Sequence, residues 1–243
     1  MSGRKVIPAR ERVIVALDVP DLAGLGGFLD RLEGQARFCK VGLELFVAAG
    51  AAAVETVQKR GAKVFLDLKL HDIPETVARA VASARSLGAE LLTVHTAGGL
   101  EMMRRAAQVA KASAEGRPGI LGVTVLTSLS EEDLRADGIG GTMREAVVRR
   151  AKLAEQAGAA GIVCAPQEVA DVRAASAALA LVVPGVRPAG AAKGDQKRVA
   201  TPASAIAAGA DYLVVGRPIR DAASPAAAFT AIVGEVEAAL AAT

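Results

Sequence analysis

Val64-Phe-Leu-Asp-Leu-Lys-Leu-His-Asp-Ile-Pro-Glu-Thr76 reads as a strand that runs into a turn and then a helix. Side chains along a strand point to opposite faces with a period of two. Leu66, Leu68 and Leu70 therefore share one face, and Phe65, Asp67 and Lys69 share the other. Asp72 follows at the turn, and Pro74 is well placed for the first turn of a helix. Charged residues are rarely buried unless paired. If helices cover the leucine face, Asp67 and Lys69 point into an enclosed space, which marks a site. The plain alternative is the solvated face of an edge strand, and the rest of the chain decides between them.

Outward from that stretch, short apolar runs alternate with longer helical patterns. Strands are expected at Arg12–Val19, Phe38–Leu43, Val64–Leu70, Leu91–His95, Ile120–Leu126, Gly161–Cys164, Leu181–Pro184 and Tyr212–Val215. Helices are expected at Leu22–Leu32, Phe46–Arg60, Glu75–Leu87, Gly99–Ala114, Thr142–Ala157, Gln167–Ala175, Pro202–Ala207 and Ala226–Ala241. A Gly-Ala pair recurs before strands, at Gly61, Gly88, Gly158 and Gly209, and glycine just past a helix end supplies the left-handed residue that stops it. Strict βα alternation argues for a parallel sheet. Eight units in 243 residues fit a single-domain α/β fold, the (β/α)8 TIM barrel, with its active groups at the C-terminal strand ends. An open doubly wound sheet is the rival, but no GxGxxG follows the first strand. Residues 1–11 read as an N-terminal extension. Val186–Val199 reads as a mobile active-site loop, since so long a loop in a compact domain is usually functional. Ser128–Gly141 is the other long irregular stretch.

Composition narrows the function. The chain is 52% hydrophobic and 23% charged, with 2% aromatics, no Trp and a net charge of +3. It can bury a sizeable core, but it lacks the basic block and stacking aromatics of a nucleic-acid binder. No apolar run is long enough for a membrane span, and the N-terminus has no secretory apolar segment. Cys39 and Cys164 read as two buried thiols of a cytoplasmic protein. A small anionic ligand suits a few well-placed cations.

Polar residues fall at the expected strand ends. Asp18 closes the first strand, Lys40 lies in the second, and Asp67 and Lys69 close the third. His95 ends the fourth strand and Thr127-Ser128 the fifth. Arg187 follows the seventh, and Gly216-Arg217 the eighth. Singly, each has a bland reading: a cap for Asp18, a snorkelling stem for Lys40, a satisfied core histidine for His95, turn residues for Thr127 and Ser128. Their joint position at one end of a barrel is what those readings leave unexplained. Loops after strands 7 and 8 of such barrels often bind phosphate. Gly216 lets an anion approach backbone N–H groups, and Arg217 can grip two phosphate oxygens. Gln196 and Arg187 could close over it.

These residues carry a resemblance to the orotidine 5′-monophosphate decarboxylase family in its bacterial form. It covers nearly the whole chain, through Ala16-Leu-Asp-Val19, Lys40-Val-Gly42, Phe65–Val77, Val94-His-Thr96, Val123–Ser128, Pro184–Pro188, Gly194–Arg198 and Asp211–Pro218. The resemblance implies decarboxylation of orotidine 5′-monophosphate to UMP, the last step of pyrimidine synthesis. It implies a barrel homodimer with shared active sites and without metal or organic cofactor. By the same resemblance, Lys69 is the proton donor to C6 within a charged network of Lys40, Asp67, Lys69 and Asp72, with Asp72 reaching into the neighbouring subunit's site. Asp18, Lys40 and Thr76 resemble ribose binders, Thr76 also across the interface. Thr127 and Ser128 resemble the pyrimidine contacts, Arg187 part of the substrate-binding group, and Gln196, Gly216 and Arg217 the phosphate grip. Leu68, Leu70, His71, Ile73, Pro74 and Glu75 complete the substrate-binding run. Two rivals stand beside this reading. Mg-dependent sugar-phosphate decarboxylases and aldolases share a DxKxxD strand, but an acidic metal ligand is expected where this chain has Lys40. A non-catalytic nucleotide-binding barrel would gain nothing from Lys69.

Overall fold

The computed structural model describes residues 7–113, 116–188 and 200–242. Its eight parallel strands close into a barrel in sequence order. They are β1 (Val13–Ala16), β2 (Phe38–Gly42), β3 (Lys63–Leu70), β4 (Leu91–His95), β5 (Gly119–Val123), β6 (Gly161–Val163), β7 (Ala180–Pro184) and β8 (Tyr212–Val215). β1 closes the ring by pairing with both β2 and β8, Ile14 lying opposite Val214. The helices up to β5 are α1 (Ala9–Arg12), α2 (Leu22–Arg31), α3 (Leu43–Ala49), α4 (Ala51–Lys59), α5 (Pro74–Ser86) and α6 (Gly99–Lys111). Beyond β5 come α7 (Glu131–Ala136), α8 (Met143–Gln156), α9 (Val169–Ala175), α10 (Pro202–Ala207), α11 (Arg217–Arg220) and α12 (Pro225–Ala241).

The period of two sorts the core into layers. Ile14, Ala16, Phe38, Phe65, Leu121, Val182 and Val214 fill the barrel interior, where Phe38 meets Tyr212 edge to face at 5.9 Å. Val13, Val15, Leu66 and Leu92 face outward into the larger layer between strands and helices. Inward-facing positions near the C-terminal strand ends therefore converge on one mouth.

The barrel and its strands agree with the sequence reading, with changed boundaries. β1 stops at Ala16 because the Val19 N–H bonds the Leu17 carbonyl at 3.0 Å, a tight turn that ends the extended run. β5 stops at Val123, and the Thr124 hydroxyl then donates to the Val163 carbonyl at 2.8 Å. The single helix expected over Phe46–Arg60 is two, α3 and α4. Gly50 separates them at φ 54°, a conformation that glycine reaches without steric cost. The stretch read as irregular, Ser128–Gly141, contains α7, opened by a capping box of Ser130 and Asp133.

The third strand departs furthest from a regular ladder. Leu66 pairs with Leu92 and Leu70 with Val94, so β3 spends four residues where β4 spends two. Within that bulge Lys69 adopts φ 50°, and it is one of two non-glycine residues at positive φ among those described. The faces still sort as expected: Leu68 and Leu70 pack on the outer layer and Phe65 lies inside. The backbone does not alternate simply, because the bulge redirects it at the mouth.

Candidate active site

Lys40 sits two residues after Phe38 on β2 and points up the barrel, its side chain only 10% exposed. Its Nζ lies 3.0 Å from Asp18 Oδ1 and 3.7 Å from Asp67 Oδ2. Asp67 Oδ1 lies 2.8 Å from Lys69 Nζ. Asp18, Lys40, Asp67 and Lys69 thus form one row of alternating sign, and every buried charge in it has an opposite neighbour, as burial demands. Gly42 leaves room for the row: a Cβ there would stand 2.9 Å from Lys40 Nζ.

Two cavities meet at this row. One of about 150 Å³ is lined by Lys40, Phe65, Asp67, Lys69, Thr127 and Val214 among others. The second, of about 360 Å³, is lined by Asp18, Lys40, Arg187, Gly216, Arg217 and Arg220. Lys40, Pro184 and Val214 border both. The larger cavity sets four cationic side chains against one carboxylate, a balance that suits an anion. Arg220 is a residue the sequence reading missed. It reaches the rim from α11, donating to the Asp18 carbonyl at 2.9 Å while paired with Asp221 at 2.6 Å.

Other expected residues fall outside these cavities. Asp72 is exposed, and its Oδ1 accepts from the Ile73 N–H at 2.6 Å. Ile73 and Thr76 are exposed at the start of α5, and Pro74 occupies its first turn. Glu75 pairs with Arg105 at 2.9 Å and Arg79 at 3.0 Å, and those guanidiniums, Arg105 first, hold its carboxyl below the usual range. Ser128 is exposed on the turn beyond Thr127. Gln196 lies outside the described residues.

His71 stacks on His95 at 5.4 Å between ring centroids. Burial, then His71, Arg150 and Lys69, hold the His95 imidazole below its ordinary value, so it is neutral near pH 7. Cys39 is free, and burial pushes its thiol up to about 12. Thr93 on β4 is a second residue missed, since a threonine in a strand reads as ordinary β propensity. It is buried, and its hydroxyl lies 3.0 Å from Asp67 Oδ1. Among the described residues, no group of three or more His, Cys, Asp or Glu could hold a metal. Nor is any helix long and apolar enough to cross a membrane.

Comparison with known proteins agrees with this geometry. Residues 11–232 match the model of the orotidine 5′-phosphate decarboxylase / HUMPS family. The orotidine 5′-phosphate decarboxylase of Anaeromyxobacter dehalogenans is 57% identical over 225 residues, covering 91% of this chain and 96% of its own. That of Moorella thermoacetica is 51% identical over 235 residues, covering 94% and 93%. The crystal structure of orotidine 5′-phosphate decarboxylase from Lactobacillus acidophilus superposes with a TM-score of 0.82 at 38% identity, covering 93% of this chain and 99% of the other.

Proposed function

The chain belongs to the orotidine 5′-phosphate decarboxylase / HUMPS family, and from that premise we propose that it decarboxylates orotidine 5′-monophosphate to UMP, the final step of UMP biosynthesis. One observation carries the reading. A charge-paired row and a cationic cavity share Lys40, so reacting group and phosphate can be held at once.

The substrate carboxylate lies against Asp67 and its C6 faces Lys69. Two like charges about 4 Å apart repel by ~4 kcal/mol at an effective dielectric of ~20. When the C6–carboxylate bond breaks, CO2 leaves and the electron pair stays on C6. Lys69 Nζ then gives C6 a proton, and its neutral amine regains one from water. An ammonium already fixed 2.8 Å from Asp67 stabilises charge that develops only in the transition state. Asp18 and Lys40 hold the ribose, and Thr127 with Ser128 the pyrimidine. Gly216, Arg217, Arg187 and Gln196 hold the phosphate, whose remote binding energy serves positioning.

The working form is a homodimer. Leu43, Val47 and Ile73 are 52%, 82% and 66% exposed, on α3 and the turn before α5. Leu43 and Val47, four residues apart, expose one apolar face of α3, and such a face suits a second copy. That copy brings Asp72 of the partner subunit to the open end of the row, beside Lys69, and Thr76 of the partner subunit to the ribose. Cys39 and Cys164 are buried and outside any disulfide, which suits a cytoplasmic setting.

The test is direct. Purified protein incubated with orotidine 5′-monophosphate should abolish the substrate's absorbance and yield UMP and CO2 in equal amounts, with or without EDTA. No loss of substrate overturns the reading, and activity that EDTA removes and Mg2+ restores moves the chain to the metal-dependent branch.

A further inference from the structure

The backbone of Lys69 is held where side chains rarely sit. At φ 50° it lies in the left-handed region, inside the bulge that separates Leu66 from Leu70. Such a conformation persists only where its surroundings enforce it. The bulge takes the Lys69 N–H out of the strand ladder, and that N–H donates to Thr93 Oγ1 at 2.9 Å instead. A hydroxyl has one proton of its own and otherwise accepts. Having accepted from Lys69, Thr93 turns its proton to Asp67 Oδ1, 3.0 Å away. Asp67 Oδ1 also accepts from Lys69 Nζ at 2.8 Å. The three residues close a ring of hydrogen bonds in which one hydroxyl ties the main chain of Lys69 to the carboxylate that holds its tip.

We propose that Thr93 is a positioning residue for the decarboxylation, fixing the backbone of Lys69 and the carboxylate of Asp67 in one geometry. Thr93 is 0% exposed, so no water stands in for the hydroxyl if it is lost. Thr93 lines neither cavity and need not touch substrate. Its effect belongs to the chemical step rather than to binding. The proposal rests on the reading that Lys69 delivers the proton.

Thr93→Val keeps the volume and deletes both bonds, and Thr93→Ser keeps the hydroxyl. Thr93→Val should lower kcat about 10- to 100-fold, the worth of one or two bonds to a charged pair. KM and UMP affinity should stay within about threefold, which a general loss of structure would not allow. Thr93→Ser should recover most of the lost kcat. Thr93→Ala, read beside them, must show the same split if the valine methyl disturbs the fold. A Thr93→Val enzyme within about threefold of wild-type kcat overturns the role, as does a serine variant no better than valine or a loss confined to KM. Lys69→Ala runs in parallel. If it keeps turnover, the Lys69 reading and this one both fall. If it is inactive while Thr93→Val matches wild type, only the role of Thr93 falls.

Discussion

The two cavities at the barrel mouth are built on opposite electrostatic principles. Around β3 every charge has its partner already: Lys40 lies between two carboxylates and Asp67 between two ammoniums. Around β7 and β8, arginines outnumber the one carboxylate. A balanced row needs no ligand to be stable, so it can wait in its reactive geometry. A cavity lined by more cations than carboxylates attracts an anion, so it supplies affinity. On the proposed reading the first region does the chemistry and the second the holding, and mutations should separate them.

The largest effect is expected at Lys69. Lys69→Ala removes the proposed proton donor and leaves the arginine cavity intact. Its kcat should fall by roughly 10⁴-fold or more, while UMP affinity weakens far less. Steady-state kinetics beside UMP titration measure the split, and near-normal turnover would remove Lys69 from the mechanism.

Arg217→Ala should do the reverse. It should cost about 100-fold or more in kcat/KM for the nucleotide, the worth of a bidentate phosphate contact. A substrate lacking the phosphate should lose little, because the deleted contact was never made. Equal losses with both substrates would place Arg217 outside the phosphate site.

The smallest effect concerns stability. His95 is held neutral chiefly by burial, so its folded value lies below the ordinary 6.5. As pH falls through 6.5, the unfolded histidine takes up a proton that the folded one refuses. Stability present above that value is therefore lost below it, until pH passes the lowered folded value. Thermal unfolding of the wild type should drop between pH 7 and 5 by more than that of His95→Asn. Parallel curves would assign the acid sensitivity to other groups.

How much of this was legible depended on range. The strands showed as apolar runs, four of them after Gly-Ala stops, and the candidate site showed because charges recur at strand ends. The bulge in β3 was not legible, since it is a mismatch with β4 that no local period encodes. Thr93 was hidden for the same reason, because its partners lie 24 and 26 residues away. Arg220 gave no signal beyond standing three residues after Arg217. The break at Gly50 was written only as a glycine within an alanine-rich helical run. The capping box of α7 was readable, and Ser130-Glu-Glu-Asp133 marks it.

The central claim is that the charged row is one working unit, completed across a two-fold axis. Asp72 is exposed in its own chain, where its carboxylate accepts one hydrogen bond among the described residues, from the Ile73 N–H, yet it sits three residues past Lys69. In an isologous dimer each subunit gives one Asp72 and receives one. The decisive measurement mixes two nearly inactive homodimers, Asp72→Ala and Lys69→Ala, under subunit exchange. In a mixed dimer one site collects both defects and the other collects neither. At full random exchange half the dimers are mixed, so activity should rise to about one quarter of wild type. A mixture that stays as inactive as its parents, with exchange demonstrated by mass spectrometry, would contradict the shared row and return Asp72 to its own subunit.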